Sequence, residues 1–405
     1  MSIRLYLVDD VVAQSWRPFT LTRPAGEMLF GTKTLRARSE SFFGANCAAH
    51  ITAPHLDSFE EIDCPPTAPL DLAPNPEARL FVWSRFVPSD ASCPTLPSSD
   101  PAILQANGAF VGLWLPPGAT GPSALDGTPV PGMDVVELGG SLLETVWEVM
   151  SKNGAQISLD AAGKQSTALP DGVHRLGDHS VSIGDDTQVE PGVVIDARGG
   201  PVVLGQGVHV HAFTRIAGPA FVADGAILLG GAFGEVTIGP SCRIRGEVRC
   251  SIVHSYSNKA HDGFLGHSIL GQWVNLGAMT TNSNLKNNYG PVRLLMGGQG
   301  LDTGMTKVGC FLGDHVKTGI GTLLNTGTII EAATNVFGGA MPPKYVPPFS
   351  WGAGTDLVEH DLERFLQSAE VVMSRREVEL SAGTRDLLTR AFSESQSLRT
   401  FSGVG

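Results

Sequence analysis

Between Ser257 and Tyr289 the chain gathers side chains that can carry a proton and hold a polar substrate: His261, Asn275, Asn284, Lys259 and Lys286, with Phe264 and Tyr289 among them. An imidazole titrates near neutrality, so it can accept and return a proton under ordinary conditions. Carboxamides both donate and accept hydrogen bonds, and ammonium groups attract phosphate. Such a mixture is suited to moving a group between two polar molecules. It needs a rigid frame to hold it.

The residues between these groups supply that frame. An apolar-Gly step recurs at Leu265-Gly266, Leu270-Gly271 and Leu276-Gly277. Aliphatic or small residues fall every sixth position at Ile183, Val189 and Ile195, then at Leu204, Val210, Ile216, Val222 and Leu228. The phase returns at Ile238, Ile244 and Cys250, and again at Leu312, Thr318, Leu324, Ile330 and Val336. A helix cannot hold a strict six-residue phase, whereas six is a multiple of the strand period and keeps one side chain of each unit pointing the same way. Each unit is therefore a short strand and a turn, and three units make one triangular coil of a parallel β-helix. The expected β-helix spans residues 171–345, with a loop at 282–307 that supplies a binding face.

The rest of the chain has a different texture. Residues 1–170 mix strand candidates (3–8, 80–87, 109–115) with a helix opened by the capping box Ser141–Glu144 and stopped at Asn153-Gly154, which suggests an α/β domain. Close behind the first strand lie Arg17, Arg23, Lys33 and Arg36 around Gly26 and Gly31, a candidate phosphate or sugar-nucleotide cradle led by Arg23 and Lys33. No glycine-rich phosphate loop follows that strand, so nucleotide chemistry cannot be read off directly. Residues 346–405 read as C-terminal α-helices, one starting near Asp356 and one near Thr384, with the last few residues disordered.

Lys and Arg number 28 against 40 Asp and Glu, a net charge of −12, which disfavours a nucleic-acid surface. No leader and no apolar run long enough to span a bilayer is apparent, so a cytoplasmic protein without a membrane partner is expected. The six cysteines form no Cys-x-x-Cys pair, and reduced buried thiols are the default.

Ser257-Asn-Lys-Ala-His261, Phe264-Leu-Gly, Val274-Asn-Leu-Gly-Ala278, Asn284 and Tyr289-Gly together resemble the acetyltransferase half of the bacterial bifunctional enzyme that makes UDP-N-acetylglucosamine. Thr22-Arg-Pro24, Gly31, Thr34-Leu-Arg36 and the run His261 to His267 are similar to a GlmU-like branch of sugar nucleotidyltransferases. The resemblance implies a left-handed coil, a homotrimer with sites between subunits, and acetyl transfer from acetyl-CoA to the amine of a sugar-1-phosphate such as glucosamine-1-phosphate. It implies His261 as general base, with Asn275 and Asn284 positioning the substrate. Arg215, Arg249 and Lys286 stand as phosphate ligands, with Phe264 and Tyr289 in the substrate site. The reaction is direct, without a cysteine-linked intermediate. Mg²⁺ is required only if the first domain retains nucleotidyl transfer into a UDP-sugar.

Two departures bear on the acceptor. Phe264 stands where the family has a tyrosine, and Asp262 replaces an apolar residue; that carboxylate either orients the imidazole or caps a turn. Two rivals come from other classes. One is a catalytically silent sugar-nucleotide-binding or assembly module. The other is a metal hydratase of the γ-carbonic-anhydrase type, for which His254, His261 and His267, or the pair His209 and His211, are available.

Overall fold

The computed structural model describes residues 3–89, 92–122, 125–127, 132–297 and 299–399. The disorder expected of the last residues falls mostly outside that set.

Beyond the N-terminal region the chain winds into a parallel β-helix from His174–Leu176 to Ser350–Ala353, closed by the antiparallel strand Asp356–Glu359. Its coils present three faces. On the first, Val194, Arg215, Ala232, Glu247 and Phe264 stand in register. On the second, Thr237, Ile252, Ile269, Phe311 and Ile329 do so. On the third, the row is Gln188, His209, Ile227, Arg243, Asn258, Asn275, Lys317, Asn335 and Trp351. Inside lies one aliphatic column that includes Val189, Ile195, Leu204, Val210, Ile216, Leu228, Ile238, Ile244, Leu312 and Val336.

Cys250 does not belong to that column. It sits half-buried at a corner with φ of 47°, while Val248 and Val253 point inward. The six-residue phase fails there because the corners differ in length from coil to coil. Lys259 is the unexpected member of the interior: it pairs in register with the buried Ile244 and is itself 2% exposed.

The N-terminal region is a six-stranded mixed sheet in the order 47–51, 3–8, 78–83, 109–115, 102–106, 134–137, with the helix Leu35–Phe43 beside it. The expected strand 80–87 is two strands, Ala78–Trp83 and Phe86–Pro88. Ser141 lies in the short strand Gly140–Leu142 rather than at a cap. Thr145 caps the helix Val146–Ser151 instead, and Asn153-Gly154 begins a further helix to Asp160 rather than ending one.

The outward side chains of the second face explain how the two parts join. Ile252, Ile269, Phe311 and Ile329 are buried against Ala13, Trp16, Phe19, Ala25 and Met28 of the N-terminal region. A strand buried on both sides reads as continuously apolar, as these do. Val292 and Leu294 of the 282–307 segment join the same cluster, the latter within a hairpin of Arg293–Met296 and Gln299–Asp302. That segment is thus anchored to the body.

Asp356–Glu359 forms a strand, not a helix start. The helix begins at Leu362 behind the cap Asp361, runs to Ser374, and is followed by Ala382–Glu394. Their apolar faces pack on a β-helix corner through Phe365, Leu366, Ala369 and Leu388 against Trp273, Ala333 and Phe349. The solenoid flank therefore receives them.

Candidate functional site on the β-helix corner

His261 occupies the corner between the third and first faces, two residues beyond Lys259, with its side chain exposed. The Lys259 Nζ donates to the backbone carbonyls of Arg245 (2.8 Å) and His261 (2.9 Å), so an interior ammonium pins the turn that presents the imidazole. Burial pushes the Lys259 amine down to about 8, opposed by Asp262. Gly246 and Gly263 leave room for it: a Cβ on Gly246 would stand 2.8 Å from Nζ. Asp262 turns to Arg245 at 3.0 Å. Of its two expected roles, the contact observed is with a neighbouring coil.

The other named residues separate into groups. Phe264 lies on the first face with its ring across Gly266, where a Cβ would meet the ring at 2.3 Å. Arg249 is in register with Gly266 and exposed, with Glu247 3.4 Å away. At the next corner Asn284 Nδ2 donates to Nδ1 of His267 at 2.9 Å. Burial, and then Lys307, hold His267 below the usual imidazole range; with Nδ1 accepting from Asn284, Nε2 is the ring's donor. Arg249, Phe264, His267 and Asn284 thereby form one patch.

Asn275 is exposed on the third face, between Asn258 and Lys317 in the ladder, and so lies on a different side of the prism from Asn284. Arg215 is three strands from Phe264, about 14 Å along the axis, and is paired with Asp196. Lys286 donates to the Pro291 carbonyl, and Tyr289 is exposed with φ of 56°.

The basic segment of the N-terminal region is engaged throughout. Arg23 is 1% exposed and pairs with Asp314 at 2.7 Å and Glu61 at 3.1 Å. Burial alone would raise the Asp314 carboxyl, but the charge and hydrogen bonds of Arg23 outweigh it and hold the group below the carboxylate range. Arg17 reaches Glu331 at 3.3 Å, and Arg36 pairs with Glu27 and Glu40. Lys33 is exposed and donates to Ser41 Oγ at 3.3 Å. Three of the four cations expected to cradle phosphate are thus ion-paired, two of them to the β-helix.

The Arg23 and Arg36–Glu27 pairs border a cavity of about 580 Å³ between the N-terminal region, the β-helix and the C-terminal helices, lined by Arg23, Glu61, His254, Tyr256, Gln272, Trp273, Asp314 and His315 among others. Tyr256 and Trp273 stack at 4.2 Å. Burial pushes His254 and His315 each down to about 3, and His254 Nε2 and His315 Nδ1 have no hydrogen-bond partner among the described residues. Sequence reasoning did not assemble this group. Tyr256, Trp273 and His315 all hold positive φ at the same corner of successive coils, a relation visible only in the fold.

All six cysteines are free. Cys250, next to Arg249 in the chain, is pushed up to about 11 by burial, which leaves it a thiol at neutral pH.

Residues 5–167 match the family described as sugar nucleotidyl transferase. The chain is 33% identical over 95 residues to a bifunctional sugar-1-phosphate nucleotidylyltransferase/acetyltransferase of Sulfurisphaera tokodaii, covering 24% of this chain and 24% of that one. It is 29% identical over 192 residues to the bifunctional protein GlmU of Synechococcus elongatus, covering 42% of this chain and 37% of the relative. The chain thus spans a quarter to two fifths of the length of these relatives. An Arabidopsis UDP-N-acetylglucosamine acyltransferase structure aligns over 58% of this chain and 94% of its own, at 13% identity and a TM-score of 0.25, below what marks a shared overall fold. The sequence matches support the GlmU-like resemblance carried by the motifs.

Proposed function

We propose that the chain is a GlmU-like transferase that moves an acetyl group from acetyl-CoA to the amine of a sugar-1-phosphate such as glucosamine-1-phosphate, at the corner bearing His261. The observation that carries the reading is an exposed imidazole on a turn pinned from inside by Lys259, on a rigid coil. In the proposed step the ammonium gives a proton to His261, the amine nitrogen attacks the thioester carbonyl, and the C–S bond breaks. The C–N bond forms as the sulfur leaves as coenzyme A thiolate, which takes up the second proton that the nitrogen loses. Arg249 is the better phosphate ligand of the three proposed, because its weak contact with Glu247 is exposed on both sides and can be exchanged for a dianion. Arg215 would first have to leave Asp196.

Asn275 and Asn284 lie on different faces, so a substrate that touches both draws them from two chains. A homotrimer, with the substrate between subunits, satisfies this. Phe213, Met279 and Ile320, which are 86%, 58% and 77% exposed, are apolar surface that such an assembly would cover.

Similarity to a bifunctional sugar-1-phosphate nucleotidylyltransferase/acetyltransferase, and the family match over residues 5–167, support a coupled nucleotidyl transfer. The residues themselves favour a non-catalytic N-terminal region. Asp10 is held by Arg85, and Asp9 is buried, accepting from Ala25 N and Thr52. Both contacts of Asp9 are to Oδ2, so at the end of the first strand Asp10 is ion-paired and Asp9 Oδ1 alone is without a hydrogen-bond partner among the described residues.

Release of free thiol from acetyl-CoA with a panel of sugar-1-phosphates, with and without UTP, tests both halves. Sugar-dependent thiol release that is lost in His261→Ala supports the acyl transfer. Pyrophosphate formation from UTP would overturn the view that the N-terminal region is silent.

A further inference from the structure

Toward the N-terminal end of the solenoid, three strands or about 14 Å along the axis from the coil that bears His261, coil stacking builds a second constellation. His209 lies in the strand His209–Val210 and His211 directly follows it in extended chain, so the two rings share one side while Val210 points into the core. Val189 of the preceding coil stands in register with Val210, and continuing that register sets Glu190 beside His211. Neighbouring strands lie about 4.8 Å apart, close enough for three side chains on adjacent coils to meet at one point.

They do meet. His209 Nε2 lies 2.8 Å from Glu190 Oε1, the two imidazole centroids are 4.5 Å apart, and one ligand atom from each of Glu190, His209 and His211 lies within 4.8 Å of the others. The Glu190 carboxylate is fixed from behind by the Ala212 N–H, which donates to Oε2 at 2.8 Å. Among the described residues no other group of three or more His, Cys, Asp or Glu comes together in this way.

We infer that Glu190, His209 and His211 form a binding site for a divalent transition metal, of which Zn²⁺ is the best fit. Two imidazoles and one carboxylate are the donor set of borderline cations, and no thiolate draws the site toward softer ones. Tetrahedral Zn²⁺ with bonds of about 2.1 Å separates its ligand atoms by roughly 3.4 Å, so small side-chain rotations about the present positions suffice. All three residues are half-buried, which leaves the fourth position to water. The Ala212 N–H plays the part of an outer partner that orients a ligating carboxylate. Because Glu190 belongs to one coil and both histidines to the next, the ion staples the end of the solenoid.

The test is titration of the chelator-stripped, tag-free full chain with Zn²⁺ by calorimetry, with Co²⁺ absorption as the geometric readout. The expected result is one ion per chain and a tetrahedral Co²⁺ spectrum, with affinity weakened on the order of tenfold or more in His211→Ala and in Glu190→Gln. Both side chains are on the surface, and Glu190→Gln keeps an oxygen for the Ala212 N–H, so each variant should fold. No saturable binding by the wild type, or binding of equal strength in both variants, would overturn the inference and leave the triad as a hydrogen-bonded Glu–His pair. Neither outcome bears on acyl transfer at His261.

Discussion

Lys259 carries an amino group into an otherwise aliphatic column, where the two carbonyls of the corner are its partners. A buried ammonium is tolerated only when its protons are taken up, and glycine at 246 and 263 keeps the space for it. Gly246→Ala, at φ of 95° and with a Cβ 2.7 Å from the Gly263 carbonyl, should lose about 1–3 kcal/mol in chemical denaturation. Unchanged stability would mean the corner is not packed as described. His254 and His315 give the second residue-level expectation. Each is neutral in the fold down to about pH 3, whereas in the unfolded chain an imidazole protonates near 6.5. The unfolded state therefore binds more protons between those limits, and stability falls as the pH drops through that window. Buried carboxyls raised in the fold, such as Glu61 and Glu331, act with the opposite sign. The measurement is thus a difference: His254→Gln should flatten the acid slope of wild-type stability between pH 6 and pH 4, taken as about the middle of the window. The residue types for proton transfer and substrate holding could be read in the sequence. That Asn284 would bond His267, and Arg23 a carboxylate 291 positions away, could not, because side-chain pairing is decided by the stacking of distant coils.

Among the elements, the β-helix was the most legible, since its inward positions repeat along the chain. Its errors have local causes. Cys250 fell out of phase at a corner of different length, and Ser141 was claimed by pairing with Phe86–Pro88 before it could cap a helix. Asp356–Glu359 carries a helix-start pattern, yet the open edge strand Ser350–Ala353 offers it a ladder of hydrogen bonds. The true cap, Asp361, accepts from the Arg364 N–H at 2.8 Å. Asp361→Ala should cost about 1 kcal/mol and raise amide exchange in the first turn of that helix; unchanged protection would contradict the cap. The apolar outward row of the second face could be seen in the sequence as Ile252, Ile269, Phe311 and Ile329, but not what would cover it.

At the scale of the molecule, the N-terminal sheet, the solenoid and the C-terminal helices converge on the Arg23–Asp314 pair. Both groups are almost wholly buried, so removing one partner strands a charge. Arg23→Ala should cost about 3–5 kcal/mol and split calorimetric unfolding into two transitions as the N-terminal region detaches. A single transition near the wild-type temperature would show that the apolar contact alone holds the parts together. The same seating explains why the segment after the first strand reads as a phosphate cradle in the sequence: Arg17 and Arg23 are there to meet carboxylates of the β-helix, Glu331 and Asp314. The proposed chemistry is left to the far side of the prism, around His261.

Thiol release from acetyl-CoA in the presence of glucosamine-1-phosphate, compared between the wild type and His261→Ala, tests that proposal most directly. The account predicts sugar-dependent release by the wild type and a fall of about 10²–10⁴-fold in the variant, with unfolding unchanged because the side chain is exposed. Equal rates in the two proteins, or no release by the wild type with any sugar-1-phosphate, would contradict it.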